Sequence, residues 1–161
     1  MKAAMSEKEK VGGYGAPIEL TEGPFKGWLT WGDGHDPFET LVGPLVFRTE
    51  PDGRSRAAFM PEKKHLNGGG VIHGGALMSF ADFALFGLSH EALKGAFAVT
   101  VTFNAEFVGA GAPGAMVEAE GRVVKQTKSL VFVQGVLSQG GQPILAFSGT
   151  LKKIKAPPTT V

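Results

Sequence analysis

Gly74-Gly75-Ala76-Leu77-Met78-Ser79-Phe80-Ala81-Asp82-Phe83-Ala84-Leu85-Phe86-Gly87-Leu88 is the stretch on which the fold of this chain turns. Its composition predicts a long helix, from about Gly74 to Ala92, that is apolar on every side and must be covered on most of them. Asp82 stands in its middle, and the run holds no Lys or Arg to neutralise it. The positions one helical turn away are Met78, Ser79, Leu85 and Phe86, so no local ion pair accounts for the carboxylate. Burying an unpaired charge costs several kcal/mol unless its pKa moves or a partner arrives from elsewhere. The plain alternative is a helix-surface Asp or a structural acceptor. The apolar surroundings and the His73-Gly74-Gly75 start favour a functional carboxylate.

Outward from the helix, the period of the sequence changes. On its C-terminal side Phe97 to Val108 alternates, with Phe97, Val99, Val101, Phe103, Ala105 and Phe107 on one face. Ala98, Thr100, Thr102, Asn104 and Glu106 fall on the other. Met116 to Gln126 alternates similarly, Leu130 to Leu137 is a more continuous apolar strand, and Gly140-Gly141 turns into Ile144 to Ile154. On the N-terminal side Leu41 to Phe47 and Ser55 to Met60 read as strands joined at Pro51-Asp52-Gly53. Two strands, one long helix and four closely connected strands predict an α+β architecture: a bent antiparallel sheet wrapped on a central helix. Residues 1–40, rich in Gly and Pro, read as an arm anchored by Phe25, Trp28 and Trp31. The domain proper is then 41–155, and 156–161 is a loose tail.

A chain of 161 residues suits one domain, and a net charge of +1 with 19% charged residues gives no reason to expect a nucleic-acid or membrane-surface partner. The absence of Cys excludes disulfides, thiolate catalysis and Cys-based metal sites, and agrees with a cytoplasmic location. Met1 to Lys10 lacks the apolar core of a signal peptide. Gly68 to Leu88 is apolar enough to raise the question of a membrane span, but an Asp at mid-span costs about 2.5 to 3.5 kcal/mol. His35-Asp36 has no third ligand at suitable spacing, so no metal is expected.

The first N–H groups of a helix lack internal partners and carry the positive end of its dipole. With no side chains at Gly74 and Gly75, a ligand oxygen can approach those donors, as at a carbonyl gaining negative charge. Eight helical positions separate Gly74 from Asp82, which is about 12 Å along the axis. The two cannot hold one carbonyl within one subunit. If two copies pair about a two-fold axis with helices antiparallel, Asp82 of one faces Gly74 of the other. The chemistry then requires a homodimer.

His65-Leu66-Asn67-Gly68-Gly69-Gly70-Val71-Ile72-His73-Gly74-Gly75, followed by Ala81-Asp82, resembles the H-x-N-x-x-G-x-x-H-G-G…D signature of hotdog-fold acyl-CoA thioesterases, in particular the phenylacetic-acid-degradation (PaaI) type. The resemblance covers the last three-quarters of the chain. It implies that Asp82 is nucleophile or general base, that the Gly74 N–H polarises the thioester carbonyl, and that Asn67 and His73 orient the carbonyl and its loop. Thr100 takes the place of a hydroxyl that helps hold the attacking water. Lys128-Ser129 stands where the family has a Gly-Arg-type turn on the coenzyme phosphates, and Thr127-Lys128-Ser129 departs from that pattern. Gly75 adjoins the carbonyl site, and Phe80, Phe83 and Phe86 are candidate walls for an aromatic or medium-chain acyl group. The resemblance further implies a tetramer built as a dimer of dimers. Coenzyme A is part of the substrate, with no separate cofactor. Two other readings share the scaffold. A hotdog hydratase or dehydratase would add or remove water on an enoyl thioester, but this helix lacks an Asp-x-x-x-x-His motif. A non-catalytic acyl-CoA-binding module would not need the acid that this chain keeps.

Overall fold

The structure, a computed structural model, describes residues 16–32 and 36–155. Helix α2 (Gly74–Leu88) lies against one curved antiparallel sheet of eight strands in the order β1-β2-β3-β4-β6-β7-β8-β5. The strands are β1 (Ile18–Glu19), β2 (Leu29–Thr30), β3 (Leu45–Thr49), β4 (Ser55–Phe59), β5 (Phe97–Phe107), β6 (Val117–Gln126), β7 (Leu130–Gln139) and β8 (Gln142–Ile154). This is the hotdog arrangement that the motif resemblance implies. Leu77, Phe80, Ala81, Ala84, Leu85 and Leu88 bury one side of α2 against Phe47, Phe59, Val133, Leu137, Leu145 and Leu151. Each large side chain so buried contributes about 1.5 to 3 kcal/mol. Gly149 of β8 makes the close approach possible, because a Cβ there would collide with Leu85.

The long helix ends earlier than the composition suggested. At Ser89, whose hydroxyl bonds back to the Leu85 carbonyl, the chain breaks and a short α3 (His90–Leu93) follows, closed by Lys94 in the left-handed conformation. The helix is also not covered on every side. Gly75 and Met78 are exposed and Ser79, Asp82 and Phe86 only half-buried, a stripe at helical spacing that the chain's own sheet leaves open.

Three expectations for the strands are corrected. Leu41 to Phe47 is not one strand: α1 (Pro37–Val42) begins on the Asp36 cap, whose carboxylate accepts from Glu39 N, and β3 starts only at Leu45. Asp36-Pro37 is a strong helix start, and it outweighs the short apolar run. In the segment read as an arm, Ile18–Glu19 and Leu29–Thr30 extend the sheet beyond β3. Phe25 and Trp28 are buried against Val46 and Ala58 on the sheet's outer face, and Trp31 stacks on Phe47 at 4.4 Å. The alternation read for β5 holds only in its second half. Thr100 pairs with Leu151 and Thr102 with Thr150, so Val101 is an extra residue, a bulge that exchanges the two faces. Ahead of it Ala98 and Thr100 face the helix, and after it Phe103, Ala105 and Phe107 do.

Candidate active site

Asp82 opens from the uncovered stripe of α2 into a groove of about 400 Å³, whose walls include Leu45, Met78, Phe83 and Phe103. Among the described residues no cation pairs with it. Among those residues its one side-chain partner is Thr100, whose hydroxyl donates to Oδ1 at 2.8 Å. Burial pushes the Asp82 carboxyl above its ordinary range, and the Thr100 hydrogen bond acts against that. The bulge at Val101 creates this pair: without the extra residue, Thr100 would point away from the helix.

The glycine-rich loop is organised by its own side chains. Asn67 Oδ1 accepts from Gly69 N at 2.8 Å and Val71 N at 3.4 Å, closing a turn whose backbone also joins Asn67 N to the Val71 carbonyl. His73 is the N-cap of α2: its Nδ1 accepts from Gly75 N at 2.8 Å, and its carbonyl accepts from Ala76 and Leu77. Gly75 N–H is therefore spent inside the cap. Gly74 N–H has no hydrogen-bond partner among the described residues, which leaves it as the donor free at the positive end of the helix. The Phe107 ring covers its Cα side, 3.2 Å from where a Cβ would stand.

The other expected site residues fall into two groups. Phe83 lines the groove beside Asp82. Phe80 is fully buried, its ring 4.8 Å from that of Phe59, and Phe86 packs against the core from the helix's open side; neither lines the groove. Lys128 and Ser129 form the exposed turn between β6 and β7, where the Ser129 carbonyl accepts from Lys153 N. Lys153 pairs with Ala98, whereas Gly74 lies at Phe107. Nine residues of β5 separate those points, about 30 Å, so one chain does not bring this turn to Gly74.

Sequence reading left out two contributors. Glu39 of α1 lies in the same groove as Asp82, and its Oε2 is buried with no hydrogen-bond partner among the described residues. Burial, Asp36 and Asp82 push its pKa up to about 8. Its position in the segment taken for an arm concealed it; the signal available was the Asp36-Pro37 start, which sets Glu39 in the first helical turn. His65, quoted in the motif without a role, is buried. Its Nδ1 accepts from Glu62 N, and its Nε2 contacts the Val42 carbonyl, which assigns the neutral tautomer protonated on Nε2. Lys64 Nζ reaches the Gly43 carbonyl at 2.7 Å, so the motif loop is fastened to the end of the helix that carries Glu39. His35 lies outside the described residues, among which no group of three potential metal ligands occurs. No helix among them is long and apolar enough to cross a membrane. A larger concavity of about 1130 Å³ lies on the outer face of the sheet, between Arg56, Asn104, Glu120 and Gln134, away from every motif residue.

The thioesterase superfamily model matches residues 69–146, from the glycine-rich loop into β8. An Archaeoglobus fulgidus protein named "Putative esterase" is 30% identical over 128 residues, 76% of this chain and 79% of that one. The chain belongs to the thioesterase superfamily. Its solved neighbours include the phenylacetic acid degradation protein PaaI of Thermus thermophilus, at 26% identity and a TM-score of 0.64 over 74% of this chain and 100% of that one. A Bacillus halodurans protein solved with CoA shares the fold, with a TM-score of 0.63 at 23% identity over 68% of this chain and 74% of that one. This superfamily member is a thioester hydrolase. The matched residues contain Asp82, Gly74 and Thr100 but not Glu39, which precedes them.

Proposed function

We propose that the protein hydrolyses an aromatic or medium-chain acyl-CoA to free acid and CoA at a site shared by two copies of the chain. The observation that carries this reading is the pairing of an uncompensated, half-buried Asp82 with the Thr100 hydroxyl on an edge strand. Among the described residues β5 ends the sheet, and from Ala98 to Phe107 its outer edge has no neighbouring strand. Along β5, Thr100 marks the level of Asp82 and Phe107 that of Gly74. A two-fold axis pairing β5 with β5 antiparallel lays the Asp82 end of one copy against the Gly74 end of the other. The same operation carries the partner's Lys128-Ser129 turn toward that Gly74, where the coenzyme would lie. That a Bacillus halodurans neighbour of this fold was solved with CoA supports a CoA thioester as the substrate.

In this scheme the Gly74 N–H donates to the thioester carbonyl and stabilises the charge on its oxygen as the carbon becomes tetrahedral. Asp82 of the facing copy deprotonates water, or attacks first to give a mixed anhydride. Thr100 orients the carboxylate. Asn67 and His73 act through the loop, the first by closing its turn and the second by capping the helix. The acyl group lies against Phe83, Phe103 and Met78. No resident cofactor is required, because CoA arrives as part of the substrate. A homodimer suffices for this chemistry, and the tetramer is a dimer of such dimers.

A panel of phenylacetyl-, hydroxybenzoyl- and medium-chain acyl-CoAs, read by a thiol-reactive dye, tests the activity and names the acyl group. Asp82→Asn should remain folded and dimeric while kcat falls by about 10²- to 10⁴-fold. Near-normal turnover in that variant would remove Asp82 from the mechanism. A fully active monomer would remove the shared site.

A further inference from the structure

Glu39 and Asp82 meet in one groove from different elements, α1 and α2, and their surroundings differ in kind. Asp82 keeps a hydroxyl donor in Thr100. Glu39 has no donor on Oε2 among the described residues, and that oxygen is closed to solvent. Among the described residues, the titratable groups that line the groove are Asp36, Glu39 and Asp82. A carboxyl placed so holds its proton, and burial, Asp36 and Asp82 together push its pKa up to about 8. Two carboxyl groups in one cleft, one supplied with a donor and one deprived of it, divide into a base and an acid.

We propose that Glu39 is the general acid of the hydrolysis, giving its proton to the departing thiolate sulfur. This rests on the thioesterase reading above and adds a residue from outside the matched motif region. In the base-catalysed course, Asp82 takes a proton from water as the water oxygen bonds to the carbonyl carbon. When the tetrahedral species collapses, the C–S bond breaks, its electron pair goes to sulfur, and sulfur takes the Glu39 proton. Asp82 is then protonated and Glu39 ionised, and a proton passed between them through solvent restores both. One water is consumed, and one acid and one thiol are released. If Asp82 attacks first, the sulfur leaves with the same proton. His65 and Lys64 support the arrangement by fastening the far end of α1 to the motif loop.

The test compares two leaving groups. An alkyl thiolate such as CoA departs poorly without a proton, whereas a thiophenolate is acidic enough to depart without one. Glu39→Gln should lower kcat for an acyl-CoA by about 10²-fold and change kcat for the S-phenyl thioester of the same acyl group little. The wild-type kcat/KM for the acyl-CoA should fall above about pH 8, and this alkaline limb should be missing in the Gln variant and for the S-phenyl substrate. Equal losses on both thioesters, or an alkaline limb that survives in Glu39→Gln, would overturn the assignment while leaving the hydrolase reading intact. If wild-type protein releases thiol from neither substrate, the hydrolase reading itself fails. Should the variant not fold, the wild-type protein decides alone: an alkaline limb of equal size for both leaving groups rules the general acid out.

Discussion

Replacing Glu39 by Gln should make the protein more stable, by an amount that grows as the pH rises. The folded state holds the Glu39 proton up to about pH 8, while an unfolded chain releases it near the ordinary value of 4.5. Between those limits the unfolded state binds fewer protons than the folded one, so stability falls with rising pH. The penalty is absent below the lower limit and complete above the upper one. Each pH unit within the window is worth at most about 1.36 kcal/mol, or about 2.7 kcal/mol from pH 5 to pH 7. The groove is open on one side, and solvent screening there lowers the expected difference to about 2 kcal/mol. Gln keeps the shape of the neutral carboxyl and cannot ionise, so it removes this slope. The assay is urea unfolding followed by Trp fluorescence, since Trp31 stacks on Phe47 beside α2 and reports on this packing. Both proteins are measured at matched concentration, because assembly shifts apparent stability. The quantity to plot is the variant's stability minus the wild type's against pH. A flat difference would mean that Glu39 titrates as an ordinary exposed carboxyl, and the reasoning about its burial would be wrong.

Other substitutions read separate parts of the site. Thr100→Val removes the hydroxyl donor to Asp82 while keeping the side chain's shape. A charge-assisted hydrogen bond is worth about 1.5 to 3 kcal/mol, so the acidic limb of the pH–rate profile should move to higher pH and kcat should fall by about 10- to 100-fold; an unmoved limb would mean that the 2.8 Å contact has no catalytic weight. Gly74→Ala brings a Cβ to 3.2 Å from the exposed Phe107 ring, which can swing aside. The variant should fold, with thioester turnover down by about tenfold or more as the carbonyl is kept from the N–H; unchanged kinetics would place the carbonyl elsewhere. His73→Ala loses the cap on Gly75 N, and thermal unfolding should show a cost of about 1 kcal/mol together with reduced kcat. A kcat loss with no change in stability would point to direct substrate contact instead.

The central helix and its carboxylate were legible in the sequence because both are local features: an uninterrupted apolar run with one acid, and a motif of eleven contiguous residues before it. His73 and Asn67 were legible for the same reason, since each bonds within four residues of itself. Thr100 was flagged by resemblance yet assigned to the wrong face, because period-two counting cannot see a single extra residue. The bulge at Val101 is fixed by pairing with β8, which lies about fifty residues further along the chain. Glu39 was invisible for a stronger reason. The Asp36-Pro37 start sets it in a first helical turn but does not distinguish it from a solvated residue there, and its environment comes largely from Asp82, more than forty positions away, and from the walls of the groove.

From sequence alone, then, follow the α+β class, the helix that organises it, and the residue types able to polarise a carbonyl and to activate water. Periodicity, capping and glycine placement act over a few residues, and they are written in contiguous order. What only the tertiary structure decided is which faces meet: the strand order that leaves β5 at the edge, the bulge that turns Thr100 onto Asp82, and the joining of α1 to the groove. Those outcomes depend on the burial of side chains from distant segments against one another, and the proton on Glu39 is set by that burial.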